Sequence, residues 1–136
     1  MPKLRLTTAA AFLAFQACAS VENVIIAEPD VAFSLPVGKT AGLSGSPTRI
    51  TFKQVRDDSR CPTSVVCVWE GDARIEVTVS REGSPSETAV LSLSSPGNEA
   101  QIGGLSVRFV SLAPYPATPE PSAPRQYVAE LVIRRL

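Results

Sequence analysis

The chain has 136 residues, 44% of them hydrophobic and 19% charged, with 13 basic side chains, 13 acidic ones and no histidine. This is the profile of one globular domain and excludes a disordered or fibrous chain. The balanced charge excludes a nucleic-acid partner, which calls for a clustered basic excess. The missing histidine removes the commonest general base and metal ligand, and with it any Ser-His-Asp triad.

Lys3 and Arg5 precede a mostly apolar, alanine-rich run over residues 6–17, too short to hold a chain permanently in a bilayer. The pattern predicts a secretory signal peptide over residues 1–17, or 1–19 if a general signal peptidase cuts. Two processing routes fit. Ala17-Cys18-Ala19 is a small-x-small cleavage site, and Phe15-Gln16-Ala17-Cys18 resembles a lipobox whose Cys18 becomes the lipidated first residue, although Phe15 and Gln16 replace the usual Leu and small residue. Both routes dispose of the odd one among three cysteines and leave Cys61 and Cys67 as a pair. An oxidising compartment beyond the membrane then allows them to bond. The expected location is the periplasm, a membrane surface reached through lipid on Cys18, or the medium. Lys3 and Arg5 leave with the leader, so the mature chain keeps 11 basic against 13 acidic residues.

Residues 18–30 read as a tether, in which Val24-Ile25-Ile26 is open to a strand, and Pro29 closes it. A domain over residues 31–136 follows, patterned at the period of two that marks strands with one face on a core. Val31, Phe33 and Leu35 share a face, and residues 40–43 form a short partner strand before the Gly/Ser/Pro loop at 44–47. Ile50 and Phe52 lie on one side of the next run, with Val55 out of phase, the mark of a bulge or a strand end. Ala73, Ile75, Val77 and Val79 make the most regular strand, and Glu82-Gly83-Ser84-Pro85 turns the chain into another over 88–93. Residues 94–104 read as a loop. Leu105, Val107 and Phe109 alternate again, five prolines in residues 113–125 impose an extended loop, and Tyr127, Ala129, Leu131 and Ile133 line the last strand. Six to eight short strands and no helical periodicity predict an all-β fold, a single antiparallel β-sandwich of Ig-like form, with a related barrel as the other solution.

The most unusual stretch is residues 58–71. It holds Cys61, Cys67 and the single tryptophan, Trp69, flanked by Asp57, Asp58, Glu70 and Asp72 with Arg56, Arg60 and Arg74 among them. A disulfide here closes a small ring that fixes a loop and delivers Trp69 to a defined place, either as a core residue behind a staple or as a contact residue. Four residues between the cysteines and a β context argue against a redox pair, and two thiolates without histidine fall short of a zinc site. The carboxylates are open to three readings: ion pairing and turn capping, calcium binding, or acid-base hydrolysis. Lys39 and Lys53 have no serine motif around them, and no glycine run precedes a helix, so neither a Ser-Lys dyad nor a phosphate loop is expected.

Asp58-Ser59-Arg60-Cys61-Pro62, four residues, then Cys67-Val68-Trp69-Glu70-Gly71, followed later by Pro114-Tyr115-Pro116 and a final strand opening with Tyr127, resembles the signature of a family of small, uncharacterised exported bacterial proteins and lipoproteins. Glu70 departs from the small residue usual there. The resemblance spans roughly residues 33–133 and implies fold and location, with no activity attached.

The expectation is therefore a non-catalytic module of the cell envelope or medium, without cofactor or metal. Its contact surface would include Arg60, Trp69, Glu70, Pro114, Tyr115 and Pro116, and its partner would be a protein or another envelope component, with Cys18 as a lipid anchor. The alternatives are an inhibitor of an exported hydrolase and a carboxylate- or calcium-dependent envelope hydrolase.

Overall fold

The computed structural model describes residues 23–120 and 124–136, so the expected signal peptide and Cys18 lie outside the described residues. Nine strands occur among them: β1 (Ile25–Ala27), β2 (Ala32–Pro36), β3 (Thr40–Leu43), β4 (Thr48–Asp58), β5 (Ala73–Arg81), β6 (Ser84–Ser92), β7 (Glu99–Ile102), β8 (Leu105–Ala113) and β9 (Val128–Arg135). They form two sheets, β1-β3-β4-β5-β6 and β2-β9-β8-β7, and every pairing is antiparallel except β1 beside β3. The fold is a β-sandwich. Its order is two meanders and not the ABED/CFG order of an immunoglobulin domain. Residues 44–47 and 82–83 turn the chain between paired neighbours of one sheet, whereas the equally short links 28–31 and 37–39 carry it across to the other sheet and back.

The inner faces follow the sequence alternation. Ile50 and Phe52 of β4, Ala73, Ile75, Val77 and Val79 of β5, Val107 and Phe109 of β8, and Ala129, Leu131 and Ile133 of β9 are buried between the sheets. Each large apolar side chain so removed from water contributes about 1.5–3 kcal/mol before the entropy of ordering is charged against it. The bulge foreseen at Val55 is present, with register shifts between Phe52 and Gln54 and between Val55 and Asp57, and β4 continues past it to Asp58. That continuation carries β4 beyond the end of β3 and sets up the loop described below.

Four local expectations change. Residues 25–27 are strand, held to residues 41–43 of β3, so the fold begins inside the stretch read as tether. The segment 94–104 contains β7, whose four residues are too few to show a period. β6 starts at Ser84, directly after a two-residue turn, and runs through Pro85, which an edge strand tolerates because its outward N–H has no partner to lose. Val31 points to solvent and leaves Leu35 as the buried residue of β2, with Phe33 half-buried. The four sheet edges are either short (β1, β7) or carry a proline (β2, β6), features that discourage pairing with another chain.

Candidate functional site

Residues 59–72 form a hairpin-like loop leading out of β4 and back into β5. Its base is laced by the Ser59 N–H donating to the Asp72 carbonyl (2.8 Å) and the Cys61 N–H donating to the Glu70 carbonyl (2.8 Å). The proline loop after β8 lies alongside, since the Thr63 and Ser64 N–H groups donate to the carbonyls of Pro116 and Ala117, each at 3.1 Å. Cys61 and Cys67 are bonded, with Cα atoms 5.9 Å apart, inside the usual range for such a bridge.

Below this pair of loops sits a buried charge cluster. Arg60 retains only 7% exposure. Its Nε and Nη2 donate to Asp58 Oδ1 (2.7 Å) and Oδ2 (2.9 Å) in a fork-to-fork pair, Nη1 donates to the Leu112 carbonyl (2.6 Å) and Nη2 to the Pro114 carbonyl (3.0 Å). The guanidinium carbon lies 5.0 Å from the Tyr115 ring centre, a cation–π contact. Asp58 Oδ2 also accepts from the Tyr127 hydroxyl (2.8 Å) and Arg125 Nη1 (3.2 Å). One carboxylate and one guanidinium thus tie together the end of β4, the end of β8 and the start of β9. Among the described residues no fully buried side-chain polar atom lacks a hydrogen-bond partner.

Arg60 was expected on a contact surface. The structure corrects this: a planar, five-donor cation fits two carbonyls at the end of β8 and a carboxylate at the end of β4, so it is used inside the fold. Pro116 is likewise buried. Glu70, Pro114 and Tyr115 are exposed, Tyr115 at 54% although one ring face meets Arg60. Trp69 is not a core residue behind a staple, since 68% of it is exposed. Val66 (102%) and Val68 (104%) stand out as far as side chains can. Sequence reading missed these two valines, along with Arg125 and the Tyr127 hydroxyl. The available signal was the lack of any charge in residues 61–69 and 109–119, two stretches far apart in sequence that fold side by side.

The carboxylates do not act as one group. Asp57 faces Arg74 at 4.0 Å across the β4–β5 pair. Asp72 accepts from the Ala73 and Ser94 N–H groups (2.8 and 3.2 Å), Asp58 is taken up by Arg60, and Glu70 points to solvent. Among the described residues no three of His, Cys, Asp and Glu gather as metal ligands would. Two open cavities, about 890 and 690 Å³, flank Gly42 and Arg49 beside β1, away from this loop.

Partial burial pushes the Asp58 carboxyl up, but hydrogen bonds from Arg60 and Tyr127 together with the Arg60 charge outweigh it and hold the group below its usual range. A carboxyl lowered on folding contributes stability that is complete above its unfolded value, near 4, and is lost as pH falls through the folded one. The urea midpoint is therefore expected to drop as pH is lowered below about 4, and less steeply in Asp58→Asn. Replacing both bridge cysteines by serine is expected to cost about 2 kcal/mol, the loop-closure value for so small a ring, in the same urea assay. The Arg60 cluster keeps the base in place, so this variant folds and loses the shape of residues 62–69.

Comparison with protein-family models, with curated proteins and with solved structures finds no match to this chain.

Proposed function

We propose that the protein is a non-catalytic contact module of the cell envelope or medium that engages its partner through the disulfide-clamped tip. The observation that carries this reading is Trp69, Val66 and Val68 standing in water on a loop fixed by a disulfide, by main-chain hydrogen bonds and by the Arg60 cluster. Apolar side chains presented on a rigid support bring contact area without the entropy cost of ordering a mobile loop. Export to the periplasm or medium, or attachment through lipid on Cys18, belongs to the same reading, and an oxidising compartment suits the Cys61–Cys67 bond. The resemblance carried by residues 58–71 and by Pro114-Tyr115-Pro116 points the same way.

The test is a photo-crosslinking residue in place of Val68 in the full chain, irradiated in cells. A discrete adduct is expected from this position, lost when Val66→Asp is added, and none from the same residue in place of Val90 on the sheet face. No adduct from position 68 under conditions where the chain is folded and exported would sink the reading. An inhibitor of an exported hydrolase is its sharper form, favoured by the way a protruding clamped loop enters a cleft, and in that case the adduct is a hydrolase.

A further inference from the structure

We propose a second site, on the outer face of the β1-β3-β4-β5 sheet, that takes a small amphipathic oxyanion: one carboxylate or phosphate monoester carried on an apolar body. It is built around Arg49, at the opposite end of β4 from Asp58 and the clamped loop, and stands independently of the contact reading.

The floor is a glycine. In the register of the sheet Ile26 of β1 lies beside Gly42 of β3, Gly42 beside Arg49 of β4, and Arg49 beside Ser80 of β5. Their chain neighbours Ala27, Ala41, Leu43, Ile50 and Val79 are buried in the core, so this row belongs to the outer face. Gly42 answers no local demand for glycine. Its φ lies outside the left-handed region, and a Cβ added there would meet only Ile26 Cδ1, at an ordinary 3.8 Å. Glycine inside a strand weakens it and marks a place where a ligand or another backbone comes close. Here it floors the cavities of about 890 and 690 Å³, which adjoin through Val24, Gly42 and Arg49 and are each of small-molecule size.

The walls divide by chemistry. On the β1 side Val24 and Ile26 keep 66% and 54% of their surface in water. Against them the lining carries three cations, Arg49, Arg81 and Lys39, and a single acid, Glu82, in a chain whose acidic and basic side chains balance. Among the described residues none of the three cations has a carboxylate partner, and their one side-chain hydrogen bond is from Arg81 Nε to Thr48 Oγ1 (3.2 Å). A guanidinium fork matches the paired oxygens of a carboxylate or phosphate, and Val24 and Ile26 gain by being covered with hydrocarbon. An inorganic anion would leave the aliphatic wall in water, and a neutral hydrocarbon would leave the cations unmatched.

Calorimetric titration of the full chain with octanoate, octyl phosphate, 1-octanol and inorganic phosphate tests this. Both octyl anions are expected to bind one to one with a dissociation constant below about 1 mM, and octanol and inorganic phosphate at least about tenfold more weakly. The tighter of the two anions identifies the headgroup as carboxylate or phosphate. Arg49→Gln is expected to weaken the octyl anions about tenfold or more. Gly42→Val fills the floor with a residue that strands favour, and is expected to abolish binding while holding or raising the urea midpoint. No saturable binding of either octyl anion at about 5 mM, octanol binding as tightly as octanoate, or an affinity unchanged in Arg49→Gln would overturn the proposal. So would octyl-anion binding that survives in folded Gly42→Val.

Discussion

Arg60→Ala is expected to lower the free energy of unfolding by about 3–5 kcal/mol, the range for removing one partner of a buried ion pair. Among the described residues, the variant leaves the Asp58 carboxylate with Arg125 and Tyr127 as its remaining side-chain donors and takes the one side-chain donor from the Leu112 and Pro114 carbonyls. An unsatisfied buried group costs its full desolvation, which is why the loss exceeds the net worth of the bonds themselves. Arg60→Lys keeps the charge but not the fork, and is expected to recover only part of the loss. The contrast is the exposed Asp30–Arg134 pair at 3.0 Å, where Arg134→Ala is expected to change stability by less than about 1 kcal/mol. Urea unfolding followed by circular dichroism measures both. A loss below about 1 kcal/mol for Arg60→Ala would mean that the cluster does not hold the fold together.

Gly71→Ala is expected to be at least as damaging, with a loss above about 4 kcal/mol or failure to fold. Gly71 has φ +73°, in the left-handed region that a Cβ penalises by about 1–2 kcal/mol. The larger cost is steric: a Cβ there would fall onto the Ser59 carbonyl oxygen and 2.6 Å from its carbon. These are backbone atoms of the opposite arm of the loop and cannot swing aside, so relief has to come from prising apart the Ser59–Asp72 and Cys61–Glu70 bonds and shifting Arg60. Gly83, also at positive φ but with open space around it, supplies the control: Gly83→Ala carries only the conformational penalty. Equal losses for the two variants would contradict the steric account.

The elements legible in the sequence were those with several residues to show a period. β5 and β9 alternate over nine and eight residues, and their buried positions are the ones the alternation marks; β8 alternates in its apolar residues only over 105–109, with Ser106 buried as well and a register shift between Phe109 and Ser111 that turns Leu112 inward. β1 and β7, at three and four residues, carry too little pattern to separate strand from connection, and sheet order depends on which short links stay within a sheet and which cross to the other, a difference their lengths do not show. At the loop, the pairing of Cys61 with Cys67 followed from counting cysteines once Cys18 was assigned to the expected leader. The role of Arg60 did not. Its four acceptors come from residues two and more than fifty positions away, and an arginine beside two aspartates looks the same in sequence whether it is buried or on a surface. For the same reason Trp69 was open between core and contact. What separates the two halves of residues 58–71 is where the chain puts them: Asp58 and Arg60 under the loop, Val66, Val68 and Trp69 on its crest.

That division is tested most directly by the stability of Trp69→Ala. A side chain in water contributes little to folding, so a change within about 0.5 kcal/mol is expected in the urea assay, with the single aromatic most distinctive of the sequence removed. A loss of about 3–5 kcal/mol, the cost of removing a large aromatic from a packed interior, would show the ring to be core and would contradict the tip as a contact surface.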